Sequence, residues 1–158
     1  MPSFQLVPVP EEVAESVRLE RRDAFGNGKL EPIVVDKEAA FPCRICLEDA
    51  RVGDRVLLCS YSPFARPTPY RTVGPIFVHE TSCRPFRPSA QVPDMIRRRR
   101  VALRAYSADS SQMLDCDVVE GETLAERAEL MLKDRRVFRI DVHFARAGCY
   151  ACSIGRIE

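Results

Sequence analysis

The stretch "VFRIDVHFA", residues 137–145, restricts the fold more than any other part of the chain. Its apolar and polar residues alternate without a break. Phe138, Ile140, Val142 and Phe144 share one face; Arg139, Asp141 and His143 share the other. Successive side chains of a strand point to opposite faces, so a period of two marks a strand with one apolar and one polar face.

Other segments join it. "SFQLVPV" (3–9) reads as a short edge strand closed by prolines, and "PIVVD" (32–36) as a β-branched strand. A strand runs from Arg55 to about Tyr61, after a Gly53-Asp54 turn, and another covers 75–79. "RVALRAY" (100–106) and "MLDCDVV" (113–119) flank the polar "SADSSQ", a hairpin signal. "CYACSIGRI" (149–157) is the last strand, paired with 137–145 through "RAG". Two segments read as helices. Residues 11–25 carry acids first and bases last, which suits the helix dipole. Residues 120–136 repeat Leu124, Ala128 and Met131/Leu132 on one face. The expected fold is α+β, a mainly antiparallel β-sheet with one early and one late α-helix. A length of 158 residues fits one domain, 1–158.

The charge balance is close to neutral, 24 basic against 23 acidic residues. Nothing in it argues for wholesale binding to nucleic acid or anionic lipid. "RRRR" (97–100) is the one concentrated charge; it has no interleaved aromatics, and acidic runs elsewhere cancel it. No apolar run approaches a membrane span, and Pro8 and Pro10 break the N-terminal apolar stretch, so neither a membrane nor a secretory signal is expected. The expected location is cytoplasmic. Seven cysteines, an odd number, then point to metal ligation, redox chemistry or burial rather than a disulfide framework.

Cys43/Cys46 and Cys149/Cys152 have the two-residue gap that lets one tight turn supply two metal ligands. His79 and Cys83 offer a second usable pair. The local "CRICLE" looks like a RING finger, but the ligand order fails: Cys59 lies in an apolar run and no His follows until His79. A redox pair needs its first cysteine at a helix N-terminus, and neither pair is followed by a helix. What remains is a Zn2+ site from Cys43, Cys46, His79 and Cys83, or a four-cysteine site from both pairs. The competing reading is plain burial of reduced cysteines. Cys59 and Cys116, in apolar strand runs, read as core. Cys83 or Cys149 with His79 or His143, and Asp141 beside His143, is a conceivable nucleophile-base-orienter set.

Four segments in order, "FPCRICLEDARVGDRVLLCSYSPF", "PYRTVGPIFVHETSC", "LRAYSADSSQMLDCDVVEGE" and "DRRVFRIDVHFARAGCYACSIGRIE", resemble the bacterial domain of unknown function 1203 family. The resemblance is strongest over 41–158. It implies that Pro42, Cys43, Arg44, Cys46, Pro69, Tyr70, Gly74, Pro75, His79, Cys83, Arg104, Tyr106, Gly148 and Cys149 are motif positions. Cys152 falls outside them. That favours Cys43, Cys46, His79 and Cys83, with Cys149 as a fifth candidate, over the symmetric site. The family name assigns no activity.

Three functional readings follow. The first is a small protein with a Cys/His cluster holding a structural zinc ion. The second is an enzyme with a cysteine nucleophile, Cys83 or Cys149, or a catalytic zinc. The third is an interaction module whose contact surface is the proline-rich loop 62–75 with Tyr61, Phe64 and Tyr70. Substrate, partner and oligomeric state are not legible.

Overall fold

The computed structural model describes residues 2–157. The alternating stretch forms β7 (Arg139–Phe144), the central strand of a five-stranded antiparallel sheet. On one side β7 pairs with β8 (Tyr150–Arg156), which pairs with the edge strand β1 (Phe4–Val7). On the other side it pairs with β5 (Arg100–Tyr106), which forms the expected hairpin with β6 (Met113–Glu120). A second, three-stranded sheet has the order β2 (Ile33–Val34), β3 (Arg55–Tyr61), β4 (Gly74–His79). Antiparallel strands predominate and the helices are few, so the molecule is α+β.

The apolar face of the large sheet is built from register partners: Val101, Leu103 and Ala105 lie opposite Phe144, Val142 and Ile140. Ile154 and Leu6 extend the face across β8 and β1. It is covered by α3 (Leu124–Met131) through Leu124, Ala128 and Met131, and by Met95 and Ile96 of a short helix, α2 (Asp94–Arg97). Burying each such side chain contributes about 1.5–3 kcal/mol. The second sheet packs Leu57, Cys59, Ile76 and Val78 against Ala14 and Val17 of α1 (Glu11–Glu20).

The polar face of β7 is not solvated. Asp141 is fully buried and His143 nearly so, because aromatic rings at the end of β3 and in the loop after it pack over that side of the sheet. Phe64 is buried edge-on against Tyr106 (5.3 Å), Tyr61 meets Tyr150 (5.6 Å), and Tyr70 leans on Tyr106 (5.7 Å). Of the three rings in the interaction-module reading, Tyr70 is exposed and Tyr61 is half-buried. The structure turns Phe64 into the interior, where Arg139 lies over it at 4.9 Å.

Several boundaries differ from expectation for physical reasons. α1 stops at Glu20, not 25, because Arg21 is left-handed (φ 53°) and the Asp23 carboxylate accepts the amides of Phe25, Asn27 and Ser60. The late helix is a 3-10 turn (Gly121–Thr123) followed by α3. The Arg156 guanidinium then gathers the carbonyls of Leu132, Asp134 and Val137 and closes the chain beyond it. Phe138 precedes β7 and is 62% exposed. Cys116 is exposed rather than core: β6 is the open edge of its sheet, and its Cys116 and Val118 lie on uncovered surface. No helix among the described residues is long and apolar enough to cross a membrane.

Candidate metal centre

The segment Pro42–Asp49 forms a closed loop. Pro42 bridges Asp49, the Cys43 amide donates to the Glu48 carbonyl, and the Leu47 amide donates to the Cys43 carbonyl. Leu47 sits at φ 55°, a left-handed conformation that costs a non-glycine residue roughly 1–2 kcal/mol. Its side chain is fully buried in the core, which holds the turn in place. The loop is tied to β4 by the Arg44 amide, which donates to the Phe77 carbonyl. This presents both loop sulfurs to the end of β4, where His79 is the last residue and Cys83 follows in the next loop.

The four candidates Cys43, Cys46, His79 and Cys83 converge. One ligand atom from each lies within 4.8 Å of all the others. Cys43 Sγ is 3.9 Å from Cys83 Sγ, and Cys46 Sγ is 3.8 Å from His79 Nδ1. Sulfurs about 2.3 Å from a common tetrahedral centre stand about 3.8 Å apart, so the cluster has the span of a metal-sized tetrahedron. This Cys3His cluster can hold a metal ion.

Its surroundings favour charge. His79 Nε2 lies 3.2 Å from Asp54 Oδ2, which leaves Nδ1 aimed at the sulfurs. Arg18, on α1, donates from Nε to the His79 carbonyl (2.9 Å) and reaches the Cys83 sulfur with its terminal nitrogen (3.8 Å). Contacts with Cys46 and then Cys83 pull the Cys43 thiol far down. The Cys43 and Cys83 sulfurs push the His79 imidazole up to about 10. Asp54 and Arg18 escaped the sequence reading. Asp54 looked like an ordinary turn residue after Gly53, and Arg18 lies 61 residues from His79.

Cys149 is not part of this cluster. It accepts a hydrogen bond from the Arg44 guanidinium at 3.1 Å. The symmetric four-cysteine site is not formed either, since Cys152 is fully buried in the large-sheet core. The Asp141–His143 pairing is also absent. Arg139 takes both Asp141 oxygens (2.7 and 3.1 Å), while His143 Nδ1 donates to the Gly148 carbonyl (3.0 Å). Burial holds His143 down to about 4 and pushes Asp141 up to about 6.

The fold and site define a two-sheet α+β protein with a Cys3His cluster at the end of its smaller sheet. The chain belongs to the family described as protein of unknown function DUF1203, which matches residues 40–156. The match includes all four cluster residues, β3 and β4 of the second sheet, and every strand of the large sheet except β1. No curated protein and no solved structure shows significant similarity to the chain.

Proposed function

We propose that the Cys3His cluster binds a single zinc ion and that the ion is structural. The carrying observation is the convergence of three sulfurs and one imidazole nitrogen within 4.8 Å. Three soft thiolates and an imidazole suit zinc, and four protein ligands complete its tetrahedron without an open position. The Asp54–His79 contact supports this reading, because a metal-bound histidine commonly donates its other ring nitrogen to a carboxylate. The ion would pin the 42–49 loop to β4 and, through Arg18, to α1. Reduced thiols in such a set suit a cytoplasmic setting.

The test is elemental analysis of protein purified under reducing conditions without chelator. The expected result is about one zinc per chain. Loss of that zinc is expected in Cys46→Ser and His79→Ala, with retention in Cys116→Ser. Metal-free wild-type protein, or zinc unaffected by the two cluster substitutions, would refute the proposal.

A further inference from the structure

A second concavity, of about 810 Å3, opens between the metal-loop segment and the large sheet. Six cationic side chains line it: Lys37, Arg44, Arg98, Arg99, Arg100 and Arg146. Among the described residues no acidic side chain does. Behind it Asp49 engages Arg99 through two contacts of 2.7 and 3.0 Å and reaches Arg98 at 4.0 Å, and Glu120 engages Arg100. Two carboxylates therefore face six cations, in a chain whose net charge is only +1. Three of the four "RRRR" arginines, Arg98, Arg99 and Arg100, thus line the cleft, while Arg97 turns to Asp94.

Arg44 is the sharpest element. It is the largest fully buried side chain, and among the described residues no carboxylate pairs with it. Its hydrogen bonds go to the carbonyls of Tyr150 and Pro42 and to Cys149 Sγ. Burial disfavours that charge, and inside the protein the Cys149 and Cys43 sulfurs offset it in part. The cleft also has an apolar floor. Phe144 lies beneath the guanidinium groups of both Arg44 (5.0 Å) and Arg99 (5.1 Å), and Phe77 and Leu58 continue the surface. An apolar surface beside convergent charged groups is the usual make-up of a small-molecule site.

We propose that this cleft binds a small organic phosphate, its anionic head among the arginines and its flat body on Phe77 and Leu58. Several guanidinium groups in one concavity match the geometry of phosphate oxygens. The Arg44 backbone belongs to the loop carrying Cys43 and Cys46, so that loop also sets one wall of the cleft.

The experiment is calorimetric titration of the full chain, as purified, with phenyl phosphate at low ionic strength. Lys37 and Arg146 are exposed and make no hydrogen bond or ion pair among the described residues, so Lys37→Glu with Arg146→Glu should fold normally. The expected result is saturable binding, weakened about tenfold or more in that double variant, as lost phosphate contacts require. The charge-matched control, Lys133→Glu with Arg135→Glu on exposed surface outside the cleft, should bind as wild type does. Phenyl phosphate should also slow thiol labelling of Cys149 and leave that of Cys116 unchanged. No binding, equal weakening by the control, or equal affinity for inorganic phosphate would each overturn the proposal. Zinc content is measured on the same samples, so failure of the metal reading and failure of this one are told apart.

Discussion

Asp54 and His79 meet at 3.2 Å, carboxylate oxygen to Nε2, across the turn that starts β3 and the end of β4. The contact settles which ring nitrogen faces the sulfurs, and it pairs a partly exposed acid with a half-buried base. The hydrogen bond to His79 also helps hold Asp54 below the usual carboxylate range, after the backbone amide of Arg51.

Replacing Asp54 with Asn keeps an acceptor near His79 but removes the charge. On the zinc reading, metal affinity should fall about 10–100-fold, the usual effect of losing an outer-shell partner. Competition with a chromophoric chelator measures this. Unchanged affinity would separate Asp54 from the metal site.

Arg139→Met should destabilise the fold by about 3–5 kcal/mol, because it leaves the fully buried Asp141 carboxylate without its cation. The double variant Arg139→Met with Asp141→Leu should recover most of that loss, since an apolar pair needs no charge compensation. Urea denaturation of both variants reads the difference. A double variant no more stable than the single one would contradict this account.

Two buried groups give stability an unusual pH profile. Asp141 titrates near 6 when folded, against about 3.9 unfolded, so its contribution is present below 3.9 and lost as pH rises through 6. His143 titrates near 4 when folded, against about 6.5 unfolded, so its contribution is present above 6.5 and lost as pH falls through 4. Between pH 4 and 6 the two oppose each other. Asp141→Asn should therefore show stability rising with pH across that window, and His143→Gln stability falling. Denaturant midpoints at several pH values test both slopes, and parallel profiles in the two variants would rule the scheme out.

Gly121 has no room for a side chain. A Cβ there would lie 1.9 Å from the Ile96 carbonyl oxygen and 2.7 Å from that of Arg99, so main chain must move. Gly121→Ala should cost about 1–3 kcal/mol or more, the range for overpacking. Gly155→Ala, with nothing within 4 Å, is the matched control and should be close to neutral. Thermal melts compare the pair; equal melting temperatures would count against the close approach of α2 and the 3-10 turn.

Much of this protein was legible in the chain because the signals are local. Alternation over 137–145 and the hairpin around "SADSSQ" announce β7, β5 and β6 at nearly their observed bounds. A two-residue gap between Cys43 and Cys46 needs only a tight turn, and the four residues singled out as a ligand set are the four that converge. Tertiary structure decided the rest. Cys116 and Cys59 sit in similar apolar runs, yet one is exposed and the other buried, because only β3 has α1 packed over it. The polar face of β7 became interior because Tyr61, at the end of β3, and Phe64, in the proline-rich loop after it, pack over that side of the sheet. Asp54, Arg18 and the Arg44–Cys149 contact join residues 25 to 105 positions apart. Local periodicity determines which way a side chain points along its own element. What stands opposite that side chain depends on which distant element packs there, and no local pattern carries that information.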